Sequence, residues 1–440
     1  AKLLDDEEPE VRKAACNALG RLGGGADDLA MALADQEAAV RAEAAQALGR
    51  LSKSQVKPHT ISRVAALAKD PDQEAAAAGV SCLAAIGEAK ALKNFMESAF
   101  PTVVRAAVME MGRCPVARQE HAACLSKALA HQDASVRLAA AQASGELGGQ
   151  CSEEHLISLT KRTEDPQVKV RRAAIQALGR AAPAGAPRIC AFFHDKDDSI
   201  RHFAAETLGA NGNEAAAGAC AELLQNCTSG TVKCASLLAL GRMKLREWSP
   251  QVASCLHDKD LQTRLAAIQA LSDLGAESHA EELEALADDE SKGVRQAAVA
   301  CLAKMGNAGA RAACRFLEDQ DPAVRQSAVR VYSPLHSKLK ATLARPYADV
   351  VARRLLDEDW RVRLAAVVAL GDLNAREFVE QIGALHHDSD LQVRRSALAA
   401  LEKLSAPASL VAIFLGDEDE AVRKDAQKVY EALCIEEELS

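Results

Sequence analysis

Residues 35–51 read DQEAAVRAEAAQALGRL and residues 357–373 read DEDWRVRLAAVVALGDL, two copies of one template more than three hundred residues apart. Further copies follow outward: DEEPEVRKAACNALGRL at 6–22, DPQVKVRRAAIQALGRA at 165–181, DLQTRLAAIQALSDL at 260–274 and DLQVRRSALAALEKL at 390–404. Each has a Val-Arg-like pair followed by small and aliphatic residues and then Leu-Gly or a variant of it. The pair sets the register, with anchors at Arg12, Arg41, Arg105, Arg137, Arg171, Arg201, Arg264, Arg295, Arg325, Arg363, Arg394 and Arg423. Ala76 and Lys233 take the two remaining places. The mean step is about 32 residues, the length of two short helices and two turns.

The second helix of each unit, here the B helix, follows from the anchor. Around Arg41, the apolar or small residues Val40, Ala44, Ala45, Ala47, Leu48 and Leu51 fall on one helical face, which is expected to be buried. An Asp four residues before the anchor (Asp72, Asp133, Asp197, Asp260, Asp321, Asp359, Asp390, Asp419) is placed to cap that helix. The preceding A helix is shorter and more variable, as in LAMALA before Asp35 and EELEALA before Asp288. Glycines late in the template, such as Gly20, Gly49, Gly179 and Gly241, are suited either to stop the B helix or to admit a neighbouring backbone.

Composition agrees with an array. Alanine makes up roughly a fifth of the 440 residues and aromatics 3%, which suits close-packed helices and leaves little bulk for one large core. The net charge of -9, with Lys and Arg dispersed, argues against nucleic acid as a partner. No apolar run is long enough to span a bilayer, so direct membrane insertion is not expected. The 13 cysteines lie mostly in helical patterns and never as Cys-x-x-Cys, which points to reduced thiols in an intracellular compartment, cytoplasm or an organelle interior such as the plastid stroma. The opening AKLL reads as the tail of an A helix whose start precedes Ala1.

The Asp-x-x-x-x-Val-Arg-x-Ala-Ala-x-x-Ala-Leu-Gly-x-Leu pattern resembles the HEAT repeat family, and within it the short-period branch of PBS-lyase HEAT-like repeats, over about residues 5–433. The resemblance implies an all-α fold, a right-handed α-solenoid of about fourteen HEAT-like helical hairpins, with the B helices lining its inner side. It is specific for architecture and not for function, since scaffolds, transport receptors, chromophore lyases and a metal hydroxylase share it. The His-Glu dipeptides that hold iron in the hydroxylases are absent from this sequence. The whole chain reads as one array. The longer stretch at 333–351 is the place for a helical insertion joining two sub-arrays, 1–332 and 352–440.

Candidate sites are weighed against the repeat. An Asp six residues before most anchors, with the anchor arginines, forms a charged series that reads as a ladder between neighbouring repeats, because a catalytic site does not recur in every repeat. His131, His194, His257 and His387 precede the B helices, about one repeat apart, too far to share an ion, and are expected to cover carbonyls at the end of helix A. Cys220, Cys227 and Cys234 are spaced by seven and read as core thiols. No catalytic, metal or cofactor residue is assigned.

What remains is surface. Asn17, Gln46, Gln142, Gln176, Glu206 and Gln269, five residues after their anchors, form a strip for partner binding. Two basic patches suit an acidic segment: Lys161, Arg162, Lys169 and Arg172, and Lys338, Lys340, Arg345, Arg353 and Arg354. Trp248 and Trp360, the two tryptophans, are candidate aromatic anchors near turns. The functional expectation is a non-catalytic scaffold or adaptor that binds other proteins, several subunits of one assembly, without a cofactor. The alternative is a bilin-lyase-like assembly factor for a pigment-protein complex.

Overall fold

The computed structural model describes residues 2–114, 118–333 and 341–439. Among them the chain is helical throughout and contains no strand. Fourteen B helices are present among the described residues, from Pro9–Leu22 and Ala38–Gly49 to Leu391–Lys403 and Glu420–Leu439. The contacts divide the chain into two compact units, Ala1–Glu222 and Leu223–Ser440. Residues 334–340, within the stretch expected to join two sub-arrays, lie outside the described residues.

The anchor template explains why each B helix starts where it does. At all eight positions expected to cap, Asp72, Asp133, Asp197, Asp260, Asp321, Asp359, Asp390 and Asp419, the carboxylate accepts one or two N–H groups of the first turn, and at the first seven the backbone is extended. Those donors have no helical partner, so each cap contributes about 1 kcal/mol. Pro322, directly after Asp321, loses nothing by lacking an N–H in that first turn.

The A helices commonly end by tightening. Ser249–Ala253 passes into Ser254–His257, Ala280–Glu284 into Ala285–Asp288, and Val379–Gly383 into Ala384–His387, each second piece a single 3₁₀ turn. The next residue, Asp258, Asp289 or Asp388, is extended, and its carboxylate accepts the N–H two positions on at 2.8 to 2.9 Å. That turn redirects the chain into the B helix and fixes the carboxylate's direction.

Within each unit the hairpins stack in two layers. Ala38–Gly49 packs on both Pro9–Leu22 and Gln73–Ala85, and Trp360–Asp372 on both Pro322–Arg330 and Leu391–Lys403. A helices stack likewise, Glu153–Thr160 on Arg118–Leu129 and Gly306–Ala313 on Ala280–Glu284. The expected face is buried: Val40, Ala44, Ala45, Ala47 and Leu48 are 0% exposed. Each such Val or Leu contributes about 1.5–3 kcal/mol. The late glycines lie inside the B helices, so of the two roles open to them close approach is the one observed. A Cβ on Gly20 would sit 2.8 Å from Cα of Ala47, and one on Gly241 3.0 Å from Cα of Ala270.

Candidate interaction surface

The recurring charges are consumed within the fold. Arg41 donates from Nε and Nη2 to both carboxylate oxygens of Asp70 in the next repeat, each at 2.8 Å. Its Nη1 donates to the carbonyls of Asp35 and Gln36 in its own loop at 2.8 and 2.9 Å. One planar fork thus ties its own turn to its neighbour's. In the first unit Arg12 and Arg137 clasp Asp35 and Asp165 in the same way, and Arg171 pairs with Asp195, donating to it from Nη2. In the second, Arg264, Arg295, Arg325, Arg363 and Arg394 clasp Asp289, Asp319, Asp357, Asp388 and Asp417, and Lys233 donates to Asp258 at 2.6 Å. The Arg12 hydrogen bonds hold the Asp35 carboxyl below the usual carboxylate range. Burial acts to raise Asp165, but Arg137 and the Gln167 N–H outweigh it and Asp165 is also lowered.

Some rungs are missing. The third repeat has Ala76 at the anchor, and the fourth has Ala99 where the carboxylate would stand. Arg105 is exposed, and His131 occupies the Asp position of the repeat after it. The sequence grouping of His131 with His194, His257 and His387 was one place out of register. Its Nδ1 accepts the Asp133 N–H at 3.0 Å, the job a carboxylate does elsewhere, so it covers no carbonyl there. Arg201 stays on the Asp195 carbonyl and the Asp198 carboxylate, while the Asp position before the Lys233 anchor holds Cys227.

What the ladder leaves is an outward row on the B helices. Gln46, Gln142, Gln176 and Gln269 are exposed, whereas Asn17 and Glu206 are half-buried. Asn17 donates to Glu43 at 2.7 Å, Gln269 to Asp273 at 2.8 Å, and His202 lies 3.5 Å from Glu206. The first basic patch divides between the layers. Lys161 and Arg162, with Arg188 and Thr160, line a surface cavity of about 520 Å³ on the A side. Lys169 is exposed on the B helix, and Arg172 stacks over Phe203 at 4.1 Å. Of the second patch, Lys338 and Lys340 and the side chain of Arg345 lie outside the described residues. Arg353 is exposed, and Arg354 is held by the Leu317 carbonyl and Glu318. Trp360 is 40% exposed and Leu356 88%; Trp248 is half-buried with its Nε1 shielded.

No three His, Cys, Asp or Glu groups converge as a metal would need among the described residues. Cys220 meets Cys190 rather than Cys227 or Cys234. No helix among the described residues is long and apolar enough to cross a membrane. One constellation was not legible in the sequence. Ser249 Oγ lies 3.0 Å from His279 Nε2, and His279 Nδ1 lies 3.1 Å from Glu282 Oε1. This has the outline of a hydrolytic triad. Ser249 is only 7% exposed and His279 8%, so a substrate carbonyl has no approach, and the set joins two neighbouring A helices. His155 likewise joins Ser126 on the preceding A helix to Ser144 on the B helix Ala134–Leu147, at 2.6 and 2.9 Å.

Residues 1–48, 90–178, 153–240, 219–303 and 348–431 match the family model described as HEAT repeats. No curated protein sequence matches the chain. Among solved structures, Kap121p is similar at a TM-score of 0.55 and 12% identity, over 98% of this chain and 56% of that one. Kap121p bound to RanGTP gives 0.58 and 14%, over 98% and 56%. Kap121p bound to the extreme C-terminus of the protein phosphatase Cdc14p gives 0.59 and 11%, over 94% and 54%. At these identities the likeness is one of fold, and the chain spans little more than half the length of each of those structures.

Proposed function

The chain belongs to the HEAT repeat family, and from that membership we propose that it is a non-catalytic scaffold or adaptor that binds other proteins, several subunits of one assembly. The observation that carries this reading is the division of labour on the B helices. Most of the recurring Arg, Lys and Asp groups are tied up between repeats, whereas the outward position five residues after the anchor keeps its place and changes its chemistry. It runs through Asn17, Gln46, Gln142, Gln176, Glu206 and Gln269, then Leu238, Ala300, Arg330, Val368 and Lys428 elsewhere in the array. A fixed spacing with variable chemistry suits an extended protein partner. Protein partners of proteins with this fold, RanGTP and Cdc14p on Kap121p, agree with it.

The basic residues Lys161, Arg162, Lys169 and Arg172 suit an acidic stretch of such a partner, and exposed Trp360 suits an apolar anchor. Cysteine usage favours a reducing compartment. The period near 32 residues supports the PBS-lyase-like branch, and the length of 333–351 supports a joint between sub-arrays. The test is affinity capture of the tagged chain after mild lysis, with mass spectrometry and a visible absorption spectrum of the eluate. A stoichiometric, colourless set of proteins, lost when Gln142 and Gln176 are both replaced by Glu, is the expected result. Retention of the whole set by that variant removes the strip from the binding surface, and a coloured eluate replaces the scaffold by the bilin-lyase-like alternative.

A further inference from the structure

Cys190 and Cys220 stand face to face. Cys190 lies in the tight helix Ala186–His194 and Cys220 thirty positions on, in the next A helix, Glu214–Asn226. Their sulfurs are 3.7 Å apart, Cys190 is 8% exposed and Cys220 is 0% exposed. Ile189, Phe192 and Phe193, on the same tight helix as Cys190, are fully buried. The Cys190 hydrogen bond, with burial second, pushes the Cys220 thiol well above the ordinary range, so Cys220 is a thiol at neutral pH. The same step of the array lacks its ladder rung, since Arg201 turns to its own Asp198 and the Asp position before Lys233 is Cys227. Where most repeats are held by an ion pair, this step has two thiols in contact.

We propose that Cys190 and Cys220 are a redox-controlled staple, which closes to a disulfide under oxidising conditions and ties the two A helices of that step together. The two sulfurs are already in contact at 3.7 Å, and closure brings them to a bond of about 2.05 Å. The oxidant is a low-molecular-weight disulfide of the glutathione class. Cys190, the more accessible of the two, loses its proton and attacks one sulfur of the small disulfide, forming a mixed disulfide and releasing one thiolate. The Cys220 thiolate then attacks Cys190 Sγ and releases the second. The protein loses two electrons and two protons, and the small disulfide gains them as two thiols. Burial makes closure depend on local opening of the helix pair, so the staple responds to sustained oxidation rather than to brief exposure.

The test uses the full chain equilibrated with oxidised or with reduced glutathione, alkylated after denaturation and digested with trypsin and a glutamyl endopeptidase. Cleavage at Glu222 separates Cys220 from Cys227. The expected result is a Cys190–Cys220 linked peptide in the oxidised sample alone. Amide exchange in 186–194 and 214–222 should also slow on the order of tenfold on oxidation. In Cys190→Ala both effects disappear. Recovery of Cys190 and Cys220 as free alkylated thiols while more accessible cysteines such as Cys114 carry glutathione overturns the proposal, as does a link from either one to Cys227. The linkage map of the unsubstituted chain decides the matter even if a variant folds poorly, and neither readout depends on a bound partner.

Discussion

Arg171 is only 1% exposed, yet it is a permanent cation. Its Nε meets Asp195 Oδ2 at 2.6 Å, Nη2 meets Oδ1 at 3.1 Å, and Nη1 meets the Asp165 carbonyl at 2.9 Å. Removing one member leaves the other charged and buried, so Arg171→Ala should lower unfolding free energy by about 3–5 kcal/mol. A shift of the urea midpoint within that of an exposed control such as Lys169→Ala would contradict this. His155 gives a separate signature. Burial lowers its pKa from 6.5 to about 4, and both ring nitrogens are held by serine hydroxyls. The unfolded chain therefore takes up the proton first as pH falls. Stability from this group is full above about pH 6.5 and is lost progressively down to about pH 4, on the order of 3 kcal/mol in all. The ladder carboxylates Asp35 and Asp165 are lowered, so their losses begin only further into acid. Urea midpoints between pH 7 and 4 should fall for the unsubstituted chain and much less for His155→Gln.

Helix against helix, the limiting distance is set by the smallest residue. The Gly20 and Gly241 positions let the next B helix approach until only a hydrogen fits. Gly20→Val must push Ala47 backbone aside, at a cost of about 1–3 kcal/mol. The same substitution at Gly24, where a Cβ meets nothing within 4 Å, should cost less; thermal denaturation of the pair checks the difference. The repeat template showed these glycines without showing which role they take. A helix stop and a close approach leave the same letter at the same place, and only the neighbouring helix separates them. Caps were legible because an N-cap bond is made within three residues of the Asp that makes it.

Within each unit, hairpins pack chiefly on their neighbours, as in a chain stabilised by nearest-neighbour interfaces. Loss of a rung should then be felt locally. Arg171→Ala should raise amide exchange in Ala134–Leu147, Val168–Arg180 and Asp198–Asn211, and leave Trp360–Asp372 and Leu391–Lys403 unchanged. Equal loss of protection throughout both units would show a cooperativity that pairwise contacts do not supply.

The sequence alone determined the period, the B helices, their caps and the series of Asp and Arg, because each is written within one repeat and copied along the chain. Hydrophobic spacing and capping chemistry act over a turn or two, so a single repeat suffices to read them. Only the tertiary structure decided which carboxylate each arginine takes, that Cys190 meets Cys220, and that Ser249, His279 and Glu282 form a stitch rather than a site. Those pairings, Ser249 with His279 among them, span about thirty residues and depend on how one hairpin seats on the next. That seating is set by small-residue packing and glycine contacts between layers, and no local pattern encodes it.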